Sequence, residues 1–104
     1  MTEEFTRVAA TSEIQADKMM MVQYKGQAIC LANIMDKYYA IRNTCTHMGG
    51  PLAQGKLDGH VVECPWHGSR FDVTTGEVER RPAQTPEPVF EVKVEGTAIL
   101  IRPR

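Results

Sequence analysis

Two stretches, Cys45-Thr46-His47-Met48-Gly49-Gly50-Pro51-Leu52 and Cys64-Pro65-Trp66-His67-Gly68-Ser69-Arg70-Phe71-Asp72, interrupt an otherwise regular chain. Each is rich in Gly and Pro and carries one Cys and one His. The pattern is Cys-x-His, 16 intervening residues, then Cys-x-x-His. Two soft thiolates and two imidazoles on two loops suit zinc or an iron–sulfur centre. Ligand pairs for a single zinc are usually spaced by about two to four residues. The single residue between Cys45 and His47 is short for one tetrahedral ion. The spacing is easier if the two side chains serve different metal ions.

Working outward, the segments around the loops read as strands. Between the loops, Lys56-Leu57 and Val61-Val62 form a small hairpin that turns at Asp58-Gly59. Upstream, Ala28–Ala32 is continuously apolar, as a strand buried on both faces would be. Met19–Tyr24 pairs with it across Lys25-Gly26, and Tyr38–Arg42 adds a further strand. Downstream, Phe90, Val92 and Val94 alternate with Glu91, Lys93 and Glu95, the period-two pattern of a half-buried strand. Its partner after the Gly96 turn is Thr97–Arg102. Pro82, Pro86 and Pro88 stiffen the connection before this last hairpin. No segment reads as a long helix. Thr11–Asp17 could form one turn, with Ser12 as cap and Gln15 three residues on, or a loop. The expectation is an all-β sandwich or barrel with a site-bearing insertion.

Composition narrows the function. The chain has 104 residues, enough for one core, so 1–104 is read as a single domain with residues 43–73 as the insertion. Scaling laws predict a folded surface of roughly 5,900 Å². Twelve basic residues face 13 acidic ones, which leaves no electrostatic footprint for nucleic acid or a membrane surface. No apolar run approaches the about 20 residues of a membrane span, and the acidic start has the wrong sign for a signal peptide. A cytoplasmic location is expected. Three Cys, an odd number, do not suggest a disulfide framework. Cys30 reads as an inert core thiol, His60 as a surface histidine and Met19-Met20-Met21 as strand packing.

The two loops closely resemble those of the Rieske ferredoxin family. A Rieske 2Fe–2S centre takes two Cys on one iron and two His on the other. The resemblance implies Cys45 and Cys64 on one iron and His47 and His67 on the other, holding one 2Fe–2S cluster. It implies the Rieske fold: an antiparallel β-sandwich or barrel base of two small sheets, with a cluster-binding subdomain at one tip. Gly49, Gly50 and Gly68 are expected to let the backbone approach the cluster and aim amides at its sulfurs. Arg80-Arg81-Pro82-Ala83 falls where the family has a third loop covering the cluster.

Departures from the respiratory members of the family carry information. Their two loops share a disulfide, whereas the matching positions here are Gly50 and Trp66. They place Ser and Tyr hydroxyls near the cluster. Ser69 keeps the first, and Phe71 lacks the second. Fewer donors imply a lower potential. The soluble ferredoxin branch fits best. Met48, Pro51, Leu52, Trp66 and Pro82 form a candidate docking patch beside the imidazoles. Arg70, Arg80 and Arg81 are either solvated or steer an acidic partner.

With four protein ligands, such a centre has no open position for substrate. A separate 2-His-1-carboxylate site would need two further His, and only His60 remains. There is no Gly-x-Gly-x-x-Gly for a flavin or nicotinamide. The reading is a non-catalytic, monomeric one-electron carrier. Its expected partners are a flavin-dependent reductase as donor and a terminal, ring-hydroxylating oxygenase as acceptor. The alternatives are the small Rieske subunit of an assimilatory nitrite reductase and a binding module with structural zinc.

Overall fold

The computed structural model describes residues 4–46, 49–66, 68–81 and 83–104. Among the described residues ten strands form two antiparallel sheets. They are β1 (Thr6–Ala10), β2 (Lys18–Tyr24), β3 (Gln27–Ile34), β4 (Lys37–Arg42), β5 (Lys56–Asp58), β6 (Val61–Glu63), β7 (Arg70–Asp72), β8 (Val78–Arg80), β9 (Val89–Glu95) and β10 (Ala98–Pro103). The larger sheet runs β1-β10-β9-β4-β3-β2, and its outer strands β1 and β2 approach each other, so it curls into a nearly closed barrel. The smaller sheet runs β5-β6-β7-β8. The expected all-β architecture, a barrel-like base with a smaller sheet, is therefore observed. The base is one curled six-stranded sheet rather than two small ones. The smaller sheet continues past Val73 to Arg80.

Turn chemistry sets the hairpins. Lys25 and Gly26 have φ of 47° and 83°, and Met35 and Asp36 have 53° and 66°. Two consecutive positive φ values define type I′ turns, whose twist matches that of the flanking strands. The β2–β3 register follows, pairing Tyr24 with Gln27 and Val22 with Ile29. The stretch expected to form one helical turn is a short 3-10 turn at Thr11–Glu13, where the Glu13 carboxylate, not Ser12, accepts the Ala10 amide at 2.7 Å.

Two apolar cores lie on opposite faces of β3 and β4. Ile29, Leu31 and Ala40 point into the barrel with Val22, Tyr24, Phe90, Ile99 and Ile101. Cys30, Ala32 and Ile41 point the other way, against Leu52, Val62, Phe71, Val73 and Ala83. Residues 29 to 33 are all buried, as the unbroken apolar run required. Truncating Leu31 or Phe71 to Ala would cost about 3 kcal/mol by the usual transfer and cavity terms. Cys30 is inert: burial, with a smaller contribution from the Glu87 carboxylate, pushes its thiol up to about 12. Val94, by contrast, is 44% exposed, because β9 runs out beyond the core. The surface area is 5997 Å², close to the scaling value. Among the described residues no helix is long and apolar enough to cross a membrane.

Candidate metal centre

The two Cys-containing loops leave the base at β4 and return through the smaller sheet. Their described backbone groups make the same hydrogen bonds. In the first, the Cys45 amide donates to the Gly50 carbonyl and the Gly49 amide to the Cys45 carbonyl, both at 2.8 Å. In the second, the Cys64 amide donates to the Ser69 carbonyl at 2.7 Å and the Gly68 amide to the Cys64 carbonyl at 3.2 Å. Gly49 and Gly68 have φ of 80° and 76°, a conformation that side chains disfavour. Each loop is thus a six-residue turn with Cys first and a left-handed Gly fifth. The Gly49 and Gly68 amides bond to the loops' own carbonyls. This corrects the expectation that they aim at cluster sulfurs.

Asn43 anchors the first loop from below. It is buried, its amide donates to the Ala28 carbonyl at 3.0 Å, and its side-chain oxygen accepts the Ala53 amide at 2.8 Å. Its carbonyl accepts the Leu52 amide at 2.8 Å. Leu52 is accordingly wholly buried in the core beneath the loop. It cannot belong to a docking patch. Trp66 is 56% exposed and Pro51 is half-buried, so these two keep that possibility. Met48 and Pro82, like His47 and His67, lie outside the described residues.

Cys45 and Cys64 are both buried and free of disulfides. The two loops meet at Gly50. A Cβ placed there would sit 2.7 Å from the Cys64 sulfur and 3.2 Å from the Trp66 indole. Gly50 and Trp66 therefore face each other across the loops, and the indole fills the space over the glycine. Two buried thiols on matched turns, brought together by a residue without a side chain, suit a shared metal cluster.

The chain after β8 closes over both loops. The Ala83 amide donates to the Ser69 hydroxyl at 3.0 Å, and Ser69 is completely buried. As acceptor in that bond, the hydroxyl still has its own proton to give. The Thr46 hydroxyl donates to the Thr85 carbonyl at 2.6 Å. Phe71 is wholly buried and offers no polar atom. Arg80 and Arg81 are exposed. Arg70 is paired with Glu63 at 2.9 Å, which leaves it little freedom as a steering cation. His60 is exposed, as expected, and lies 3.3 Å from Asp72. Burial raises the Asp72 carboxyl, but hydrogen bonds from the Thr74 hydroxyl and amide, with His60, hold it below the usual value.

One buried group escaped the sequence reading. Glu87, between Pro86 and Pro88, is only 3% exposed. Burial pushes its carboxyl up to about 7, against the opposing pull of Arg42 and the Thr46 amide. A single acid flanked by two prolines reads as a surface loop, and nothing local signals its burial.

Paired, backbone-matched loops on a β base, each burying one Cys, are the architecture of a thiolate metal-binding protein. Residues 4–99 match the Rieske [2Fe-2S] domain, and the chain belongs to that family. It carries the family's 2Fe–2S cluster as its cofactor. A ferredoxin, CarAc, of Metapseudomonas resinovorans is 39% identical over 95 residues, covering 90% of this chain and 89% of that protein. The ferredoxin of carbazole 1,9a-dioxygenase from Nocardioides aromaticivorans IC177 superposes with a TM-score of 0.93 at 31% identity, covering 98% of this chain and 100% of that one. A solved complex of reduced oxygenase and oxidized ferredoxin in carbazole 1,9a-dioxygenase contains a chain that matches with a TM-score of 0.88 at 36% identity, covering 93% of this chain and 91% of that one.

Proposed function

We propose that this protein is a one-electron carrier, the ferredoxin component of a dioxygenase system. Cys45 and Cys64 hold one iron of the cluster, and His47 and His67 hold the other. The cluster supplies reversible one-electron storage. The observation that carries the reading is the matched pair of turns, each burying its Cys at the same position. The relatives named as dioxygenase ferredoxins support the setting.

The chain's own residues keep the centre rigid and dry. Asn43 and Leu52 fix the first loop to the base. Ser69 and Thr46 tie both loops to the covering segment, so little rearrangement accompanies electron transfer. The buried Ser69 hydroxyl stabilises added negative charge through its free proton, which raises the potential. Phe71 contributes no such donor, which keeps the potential below that of quinol-oxidising relatives.

Electrons leave toward a terminal, ring-hydroxylating oxygenase and arrive from a flavin-dependent reductase. No nucleotide-binding glycine motif lies within these residues, so a partner must supply the electron. The exposed Trp66 indole, one residue before His67 in the sequence, offers a small apolar contact for brief docking by a monomeric carrier.

EPR of the reduced protein tests the ligand set. The wild type should give a Rieske spectrum, and His67→Cys should abolish it. An unchanged spectrum in that variant overturns the assignment. Reduction of an oxygenase by this protein, with no turnover when it is omitted, tests the carrier role.

A further inference from the structure

Glu87 has no part in the ligand scheme, yet four parts of the molecule converge on it. Arg42, at the end of β4, places its Nε 3.5 Å from a carboxylate oxygen. The Thr46 amide, inside the first loop, faces the same carboxylate. Cys30, on β3, is close enough for the carboxylate charge to raise its thiol. The Glu87 amide donates to the Gly76 carbonyl at 2.8 Å, which fixes the backbone to the turn between β7 and β8. Neighbouring bonds reinforce the junction: the Arg42 amide donates to the Pro88 carbonyl at 3.1 Å, and the Thr46 hydroxyl to Thr85.

The carboxylate is nonetheless poorly satisfied. Its side chain is fully buried, and among the described residues neither oxygen makes a hydrogen bond of good geometry; nor does Arg42 Nε. An ion pair enclosed this way is costly, because desolvation offsets much of the attraction. Such a group takes up a proton readily when negative charge is added nearby. Arg42 and Cys30 are the charged or titratable groups facing it among the described residues.

Resting on the reading of the first loop as a cluster loop, we propose that Glu87 is a positioning residue that latches this loop to the covering segment and accepts a proton from solvent when the centre accepts an electron. The electron comes from the reducing partner or an electrode, and the proton from water. One negative charge enters the centre and one is neutralised at Glu87. The junction lies just below the surface, since Pro86 and Pro88 on either side are exposed, so the proton has a short way to travel.

The test compares reduction potentials of the wild type and Glu87→Gln from pH 5 to pH 9. Gln mimics the protonated acid, so the two proteins should agree at pH 5. Above neutrality the wild type should become harder to reduce. A coupling of one pK unit corresponds to a tenfold change in the reduction equilibrium. Arg42→Gln, which removes the cation, should move the step to higher pH. Any imidazole titration is common to all three proteins and cancels in the comparison. A difference between wild type and Glu87→Gln that does not vary with pH overturns the proposal. If Glu87→Gln fails to assemble the centre, infrared difference spectra of the wild type decide. Reduction at pH 7 to 8 should increase a buried carboxylic-acid band, and its absence overturns the proposal. Loss of the ligand reading would show differently, as a wild type without a Rieske EPR spectrum.

Discussion

The first and second loops share one backbone but differ at the sixth position. Gly50 occupies it in the first loop and Ser69 in the second. Both residues accept the amide of their loop's Cys through the carbonyl, and both are buried. Their side chains do opposite things. Gly50 leaves space that the Cys64 sulfur and the Trp66 indole use. Ser69 fills its space with a hydroxyl that binds the covering segment. The backbone frame therefore sets where the thiols lie. The sixth residue decides whether the loop is closed by a neighbour's ring or by its own polar group.

The largest expected effect concerns Glu87 at the first loop; among the described residues no buried acid meets the second. Glu87 has its carboxyl raised from 4.5 to about 7 by burial. Between those values the folded protein binds more protons than the unfolded chain, so stability falls as pH rises through this window and levels off above it. The penalty amounts to about 3 kcal/mol. Glu87→Gln should therefore gain stability over wild type from pH 5 to pH 8, as read by denaturant midpoints. A constant difference across that range would place the cost elsewhere.

Next comes Gly50→Ala. The new methyl has no room beside Cys64 and Trp66, and overpacking of this kind costs about 2 kcal/mol. Iron content and the visible spectrum should both decline. Among the described residues Gly68→Ala meets no atom within 4 Å, and it suffers from its φ of 76°. It should cost about 1 kcal/mol, and equal losses at the two sites would remove the distinction between crowding and backbone strain.

The smallest effect sharpens the contrast at the sixth position. Ser69→Ala leaves the buried Ala83 amide without its acceptor and removes the hydroxyl proton that we propose faces the centre. The potential should fall by roughly 59 mV for a tenfold weaker reduced state. A Rieske EPR spectrum should survive. An unchanged potential would mean that the Ser69 proton points elsewhere.

The elements legible in the sequence were those with a repeated local signal. β2, β3, β4, β9 and β10 were marked by alternation or an apolar run and by turn residues between them, and the short β5–β6 hairpin by its Asp58-Gly59 turn. β1, β7 and β8 were not. β7 and β8 have three residues each, too few to display a period. The pairing of β1 with β10 is broken by a register shift between Arg7 and Ala9, which spoils its alternation. At the site, Cys45 and Cys64 stood out by spacing, and Ser69 by position. Leu52 was misplaced because an apolar residue after Gly-Gly-Pro looks the same whether it faces solvent or core; only the Asn43 anchor turns it inward. The Glu87 junction joins residues 42, 46, 76 and 87, a long-range convergence that no short motif encodes.

β3 is a party wall. Ile29 and Leu31 belong to the barrel, while Cys30 and Ala32 belong to the core under the metal loops. Neither room can lose that wall and stand. Melting should be a single event sensed alike at both ends, with the β3 amides exchanging slowest of all. Damage to the metal loops would then register as weakness in the barrel on the other side of that wall.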